Sequence, residues 1–500
     1  MRLTCKTDSW LFALAGLTVG LLYATHLSFC QHSTLQFLDD HFMNSDMHAN
    51  LLWARSIREQ GWLNPVPYHP WANWMQAIAP YPQWVEWWGG EQVFQQSPLY
   101  AYVLSLFVQK LVLMRVLQAL ISIGTCIFLG LFTARICGRL AGWLAFWLAA
   151  LYAPFYAYSW PFLRDGIAWF ITAALLWALS ELTYSEWPSA RARQFGWLAG
   201  MLMGLGFLAR ETYLLLIPVV LVALAVFAWR RRQFGMVLPV AVATVLALSP
   251  LMIRNWSVKA PLFSTSNRLA ETMIHGNAGT AHPYTLMVPV ETGRILHETG
   301  ARPLPVLLAA ISSHPDGVRG WMRLQLLKFL SLFDPYESPD NLSFYFIATV
   351  SPVVRLGLRY WMILPVALAG LFLSIRSGDK AHFWIWTFLP VFVLSLFVGV
   401  PLSRYRQSLM VFFIPLAAYF IVFMRNLIGR REIHTAAFYC AALLAGWALI
   451  LGPLSRQPRV LYDRPTEYLL SAQVFHELGK EQKAQAMLDF VRRRFPDAVP

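Results

Sequence analysis

Apolar residues in this chain come in runs long enough to cross a bilayer, separated by short basic stretches and by two long polar segments. The runs cover Trp10 to Phe29, then 98–113, 116–134, 139–158, 163–182, 196–209, 211–229 and 235–253; after a polar interval they resume at 358–375, 382–400, 405–424 and 434–452. A helix rises about 1.5 Å per residue, so about 20 apolar residues cross a hydrocarbon core of about 30 Å. The pattern predicts an all-α polytopic membrane protein, a bundle of about eleven (11–13) transmembrane helices with large outer loops and a small C-terminal helical hairpin. Residues 1–455 are read as the transmembrane domain, with outer loops at 31–97 and 254–342, and 456–500 as a helical tail.

Loop charges set the count. Arg135 with Arg139, Arg191 with Arg193, Arg230 to Arg232, Arg376 with Lys380, and Arg425 with Arg430 all face the cytoplasm under the positive-inside rule. That alternation holds from 116 onward only if 98–113 dips into the outer leaflet without crossing. The rival count makes 98–113 a span and 196–209 re-entrant. Arg2 and Lys6 ahead of the first run favour an uncleaved first helix with a cytoplasmic N-terminus and an extracytoplasmic tail.

Within the first polar segment, Leu51, Leu52, Ala54 and Ile57 repeat at helical spacing, so Asp46 to Gln60 is expected as a helix along the membrane surface. Trp71, Trp74, Trp84, Trp87 and Trp88 are expected at headgroup level or stacked on sugar. In the tail, Tyr468, Ala472, Phe475, Gly479, Ala484 and Leu488 fit either a single tetratricopeptide-type repeat or an ordinary hairpin.

Composition agrees with the pattern: 57% of the 500 residues are hydrophobic and 13% charged, about half the charged share of a soluble domain. The net charge of +14 is spread between apolar runs and forms no single basic face, which argues against nucleic acid as a partner. Five scattered cysteines without a CxxC suggest neither a disulfide framework nor a zinc site.

Ionisable residues beside hydrophobic runs are costly, and so become functional candidates. Arg164-Asp165, Arg210-Glu211, Arg254-Asn255 and Arg404-Tyr405-Arg406 sit at expected outer helix ends, and Asp46 begins the surface helix. Arginine suits phosphate, with a permanent charge and a planar fork of donors. The plain alternative is that these are interfacial ion pairs, and that Asp39-Asp40 is a solvated turn. His48 lacks partners at metal-ligand spacing; no cofactor is assigned and no metal is indicated.

These residues, in order, resemble the GT-C glycosyltransferases, specifically bacterial members of the protein O-mannosyltransferase and aminoarabinose-transferase superfamily. The resemblance rests on Asp46 followed by Trp53 to Ile57 and Gly61, on Val93 to Tyr102, on Phe162 to Gly166, on Gly204 to Arg210, on Pro250 to Asn255 with Gly276-Asn277, and on Ser403 to Arg406. The chain departs from that pattern in having Gln95-Gln96-Ser97 where some relatives carry a lysine, and in following Asp46 with Met47 and His48. The resemblance implies a bacterial inner-membrane enzyme that takes a polyprenyl-phosphate sugar as donor and a lipid, glycan or protein hydroxyl as acceptor on the outer face. It would place Asp46 as base, Asp165 beside the donor, Arg164, Arg210, Arg404 and Arg406 on the donor phosphate, and Arg55, Tyr100 and Asn277 toward acceptor or sugar. Two other classes fit many helices and a helical tail: a transporter of a lipid-linked or anionic substrate, and an envelope assembly factor whose tail meets a protein partner.

Overall fold

A computed structural model describes residues 6–455 and 464–496, with side chains from Leu14 onward. Arg2, Cys5 and the 455/456 domain boundary lie outside or at the edge of the described residues. Among those residues the regular structure is helical, apart from one isolated bridge between Tyr152 and Leu358. Eight helices are long and apolar enough to cross a membrane: Leu111–Cys137, Asp165–Tyr184, Tyr213–Arg231, Phe234–Ser257, Tyr360–Ser377, Lys380–Val398, Ser403–Gly429 and Ile433–Leu451. The chain is a polytopic helical membrane protein. Further apolar helices are Lys6–Gln31, the 20-residue Ala190–Ala209, which starts on arginines, and Arg139–Ala150, which at 12 residues is too short to cross by itself.

The run at 98–113 does not form a span. Its helix, Leu99–Ser105, has 7 residues, about 10 Å of rise, and the next helix begins at Leu111. The 139–158 run is likewise interrupted: the helix stops at Ala150, and a short one, Ala153–Ala157, restarts around Pro154. Proline has no N–H to give and its ring crowds the preceding turn, so it opens a helix more readily than it continues one.

Small residues let two of the helices approach closely. Gly196, Gly200 and Gly204 recur every fourth position along Ala190–Ala209, on the face toward Val237–Ser257. A Cβ at Gly200 would lie 2.2 Å from the Val240 carbonyl oxygen, and one at Gly204 2.5 Å from Ala247 Cβ. This is how apolar helices gain contact where lipid offers no hydrophobic drive. It also fixes the position of Arg210 and Glu211, which directly follow the glycine-bearing helix.

The basic stretches gather at one end of the bundle. There Glu181 pairs with Arg135 at 3.5 Å and with Arg191 at 2.7 Å, and Arg231 donates to the Thr183 carbonyl at 2.8 Å. The two long polar segments pack on each other at the opposite end. Trp84 and Trp88 are buried in a shared core with Ile274, Ile295 and Val306. These two tryptophans are therefore structural, contrary to a role on the bilayer surface or against sugar: the indole Nε1 of Trp84 donates to the Met75 carbonyl and that of Trp88 to Glu271.

The helix Asp46–Gln60 forms with the expected bounds, started by Ser45, whose Oγ accepts from the His48 N–H at 3.2 Å. Its apolar face does not meet lipid. Met47, Leu51, Trp53, Ala54 and Ile57 are all buried within the protein. Asp39, expected in a solvated turn, is buried too, with Arg115 donating to it at 2.8 Å and the Phe162 N–H at 3.2 Å. The tail forms a hairpin of Thr466–Glu477 and Glu481–Arg494, docked on Leu35–His41 and Phe344–Val350 through a Thr34–Ser471 hydroxyl contact and the Phe346–Tyr468 ring pair.

Candidate functional site

Several helix ends meet where the bundle joins the polar segments. Asp165 opens Asp165–Tyr184, where the free N–H groups of the first turn favour an acid, with Arg164 just before it. Arg210 caps the end of Ala190–Ala209, and Arg404 lies on the one-turn helix Ser403–Arg406 at the head of the next span. Asp46 opens its own helix in the first polar segment. Distant stretches of chain thus bring their charged ends to one place.

Arg404 is the hub. Its Nη2 lies 2.8 Å from Asp46 Oδ2 and 2.6 Å from Asp340 Oδ2, and its Nε lies 3.6 Å from Asp165 Oδ2. Neither that Nε nor that Oδ2 makes a hydrogen bond, although both are buried. Arg210 donates to the other oxygen of Asp165, and Arg164 donates to Glu211 at 2.6 Å. Arg268 approaches Asp46 at 3.7 Å and Glu271 at 3.5 Å. The Tyr405 ring lies under both the Arg210 and Arg404 guanidiniums, at 4.7 and 4.8 Å. The segment closing the first loop joins in as well: Gln96 donates to Asp46 at 3.2 Å, and the Ser97 N–H to Glu211 at 3.1 Å.

The environment separates the two carboxyls that share Arg404 Nη2. Burial pushes Asp46 up, but Arg404 and Arg268 outweigh it and hold the carboxyl well below the usual carboxylate range. Asp340 goes the other way: burial, with the charges of Asp46 and Asp165, raises it despite Arg404. Glu211 is lowered to about 2, because Arg164 outweighs its burial. Two neighbouring acids whose affinities for a proton diverge are equipped for different roles in proton transfer.

Beside the cluster is a small pocket lined by Arg210 and Tyr405 together with Trp169, Thr172, Tyr213, Phe392, Ser395 and Leu396. Its lining mixes one cation with hydroxyls and apolar side chains.

Four of the residues singled out in the sequence lie apart from this cluster. Arg406 is buried against main chain, donating to the carbonyls of Asp334 at 2.7 Å and Ser331 at 3.3 Å, with its guanidinium over the Tyr360 ring. Arg55 pairs with Asp40 at 3.2 Å on an exposed surface. The Tyr100 hydroxyl donates to Gln118 at 2.7 Å and the residue lines a separate small pocket. Asn277 ties helix ends together, donating to the Val398 carbonyl and accepting from Trp321 and Gln325. Conversely, Asp340 and Arg268 belong to the cluster and were not singled out; both sit in a polar segment where charged residues are ordinary. Among the described residues, no group of three or more His, Cys, Asp or Glu side chains is arranged to hold a metal ion.

No family model matches the chain, and no curated protein does. Among solved structures it is similar to the crystal structure of the Archaeoglobus fulgidus oligosaccharyltransferase in complex with zinc and sulfate, with a TM-score of 0.40 and 13% identity over 79% of this chain. The chain spans about half of that structure's length, 48%.

Proposed function

We propose that this protein is a membrane glycosyltransferase that moves a sugar from a polyprenyl-phosphate donor to a hydroxyl of a lipid, glycan or protein acceptor on the outer face of a bacterial inner membrane. The observation that carries the reading is the convergence of Asp46, Asp340 and Asp165 on Arg404, beside a pocket lined by Arg210 and apolar side chains.

In this reading the polyprenyl chain leaves the cluster along apolar walls and its phosphate meets Arg404, Arg210 and Arg164. Arg268 joins this set, since its contacts with Asp46 and Glu271 are loose and its side chain is 28% exposed. The acceptor oxygen attacks the anomeric carbon as the bond to the phosphate oxygen breaks; the electron pair goes to the phosphate and the acceptor proton to Asp46. A single displacement inverts the anomeric centre. A carboxylate gripped by guanidiniums is a weak base, but the leaving phosphate competes for those same cations. As negative charge grows on the phosphate, Arg404 shifts its attraction from Asp46, whose hold on a proton strengthens as the proton arrives. Asp165 keeps Arg210 and Arg404 in place.

Purified protein supplied with polyprenyl-phosphate sugars tests this. Asp46→Asn is expected to keep its fold and donor binding while transfer falls by about 10²–10⁴-fold, the usual worth of a general base. Wild-type-like transfer by this variant removes Asp46 from the role. Absence of transfer by the wild type across many donors favours a transporter or an assembly factor.

A further inference from the structure

The charged site is tied to the C-terminal hairpin by a short relay. Asn341 faces the site: its Oδ1 accepts from the Asp46 N–H at 2.6 Å, and its Nδ2 donates to Asp340 Oδ2 at 3.1 Å. The tail grips the same stretch of chain from the other side. Arg464 donates to the Asn341 carbonyl at 2.7 Å, and the Ser343 N–H donates to Glu467 at 2.7 Å. Arg464 and Glu467 also pair with each other at 2.6 Å. Glu467 is fully buried, as is Ser471 one turn on. A buried carboxylate needs a partner for each oxygen, and here both partners, a guanidinium and an amide, are devoted to residues 341–343.

We infer that the Arg464–Glu467 pair is a positioning element, by which the docked hairpin holds Asp340 and Asn341 against Asp46. Residues 338–343 contain a proline and no regular structure, so little of their own backbone fixes the Asp340 carboxyl. The tail supplies what that stretch lacks. Neither residue touches the reacting atoms; they act through Asn341. The hairpin is then part of the working site, and any partner that lifts it would lower turnover.

The inference rests on the proposed transfer activity for one of its two readouts. In purified full-length protein, Glu467→Ala is expected to lower kcat by about 10- to 100-fold, the scale of a small misplacement of reacting groups, while the KM for donor stays within about twofold. Glu467→Gln, which keeps an acceptor for the Ser343 N–H, is expected to recover most of the loss. Ser471→Ala, which removes a tail contact remote from 340–343, is expected to leave kcat unchanged. Hydrogen exchange supplies a readout independent of activity: in Glu467→Ala the amides of both Ser343 and Asp46 are expected to exchange faster. Faster exchange confined to the hairpin and Ser343, or loss of kcat equal in Ser471→Ala, overturns the inference. Should the wild type transfer no sugar, the proposed function fails by itself, and the Asp46 amide alone decides whether the tail reaches the site.

Discussion

Arg404 and Arg406 stand two residues apart on one turn of helix, and both are buried, at 4% and 1% side-chain exposure. Their partners differ in kind. Arg406 is held mainly by main-chain carbonyls, which cannot be exchanged without unfolding the loop that presents them, and its carboxylate neighbour, Glu337 at 3.5 Å, is shut away at 3% exposure. Arg404 is held by side-chain carboxylates, two of which remain partly accessible: Asp46 at 25% and Asp340 at 14%. A guanidinium bound to accessible carboxylates can trade them for another anion, whereas one bound to backbone and to an enclosed carboxylate cannot. What separates a candidate site residue from a strut here is how accessible and exchangeable its acceptors are, since burial and charge are shared.

Neutral substitutions should split the pair. Arg404→Gln is expected to lower transfer by about 10²–10³-fold, the range for losing one preorganised donor, in protein that still folds. Arg406→Gln should instead destabilise by about 3–5 kcal/mol, the scale for breaking a buried charge pair, with transfer per folded molecule near wild type. Thermal unfolding in detergent, measured beside the transfer assay, reads both; equal effects of the two on turnover would erase the distinction.

The Arg164–Glu211 pair extends the comparison through pH. Glu211 is lowered to about 2 from an ordinary 4.5, so it binds a proton more readily in the unfolded chain than in the folded one. Its contribution to stability is whole above about pH 4.5 and fades as pH falls toward 2. The side chain is 37% exposed, so solvent screens part of the effect. The unfolding midpoint of wild type should exceed that of Glu211→Gln at pH 6, and the gap should narrow by pH 3. A gap that widens on acidification would contradict the assignment.

The smallest effect is expected at Arg55, which has the chemistry of the cluster without its surroundings. Paired with Asp40 where both are exposed, it should contribute about 0–1 kcal/mol to stability. Arg55→Ala should leave transfer unchanged, and a large loss of turnover would move the acceptor site toward Asp40.

The membrane architecture was legible because lipid imposes a length and an apolarity that a sequence cannot hide. Asp165, Arg164, Arg210 and Arg404 were legible for a related reason: each borders a run that would otherwise bury it. Asp46, inside a polar segment, was marked instead by its place at the start of a helix and by the family resemblance. Asp340 and Arg268 were not, since a charged residue in a polar loop costs nothing and carries no mark of where the loop folds back. Arg406 was read together with Arg404 because they are near neighbours. Helical spacing separates them, as residues two apart on a helix point to different faces. The surface helix at Asp46 was right in extent and wrong in surroundings, because an apolar stripe fits a protein core as well as a bilayer.

The central claim is that Asp46 and Arg404 work as one unit, and a double-mutant cycle measures that coupling directly. With kcat/KM determined for wild type, Asp46→Asn, Arg404→Gln and the double variant, the account predicts strong non-additivity: the double variant should be little worse than the poorer single one. Losses that simply multiply would show that the two side chains act independently, and would contradict a shared site.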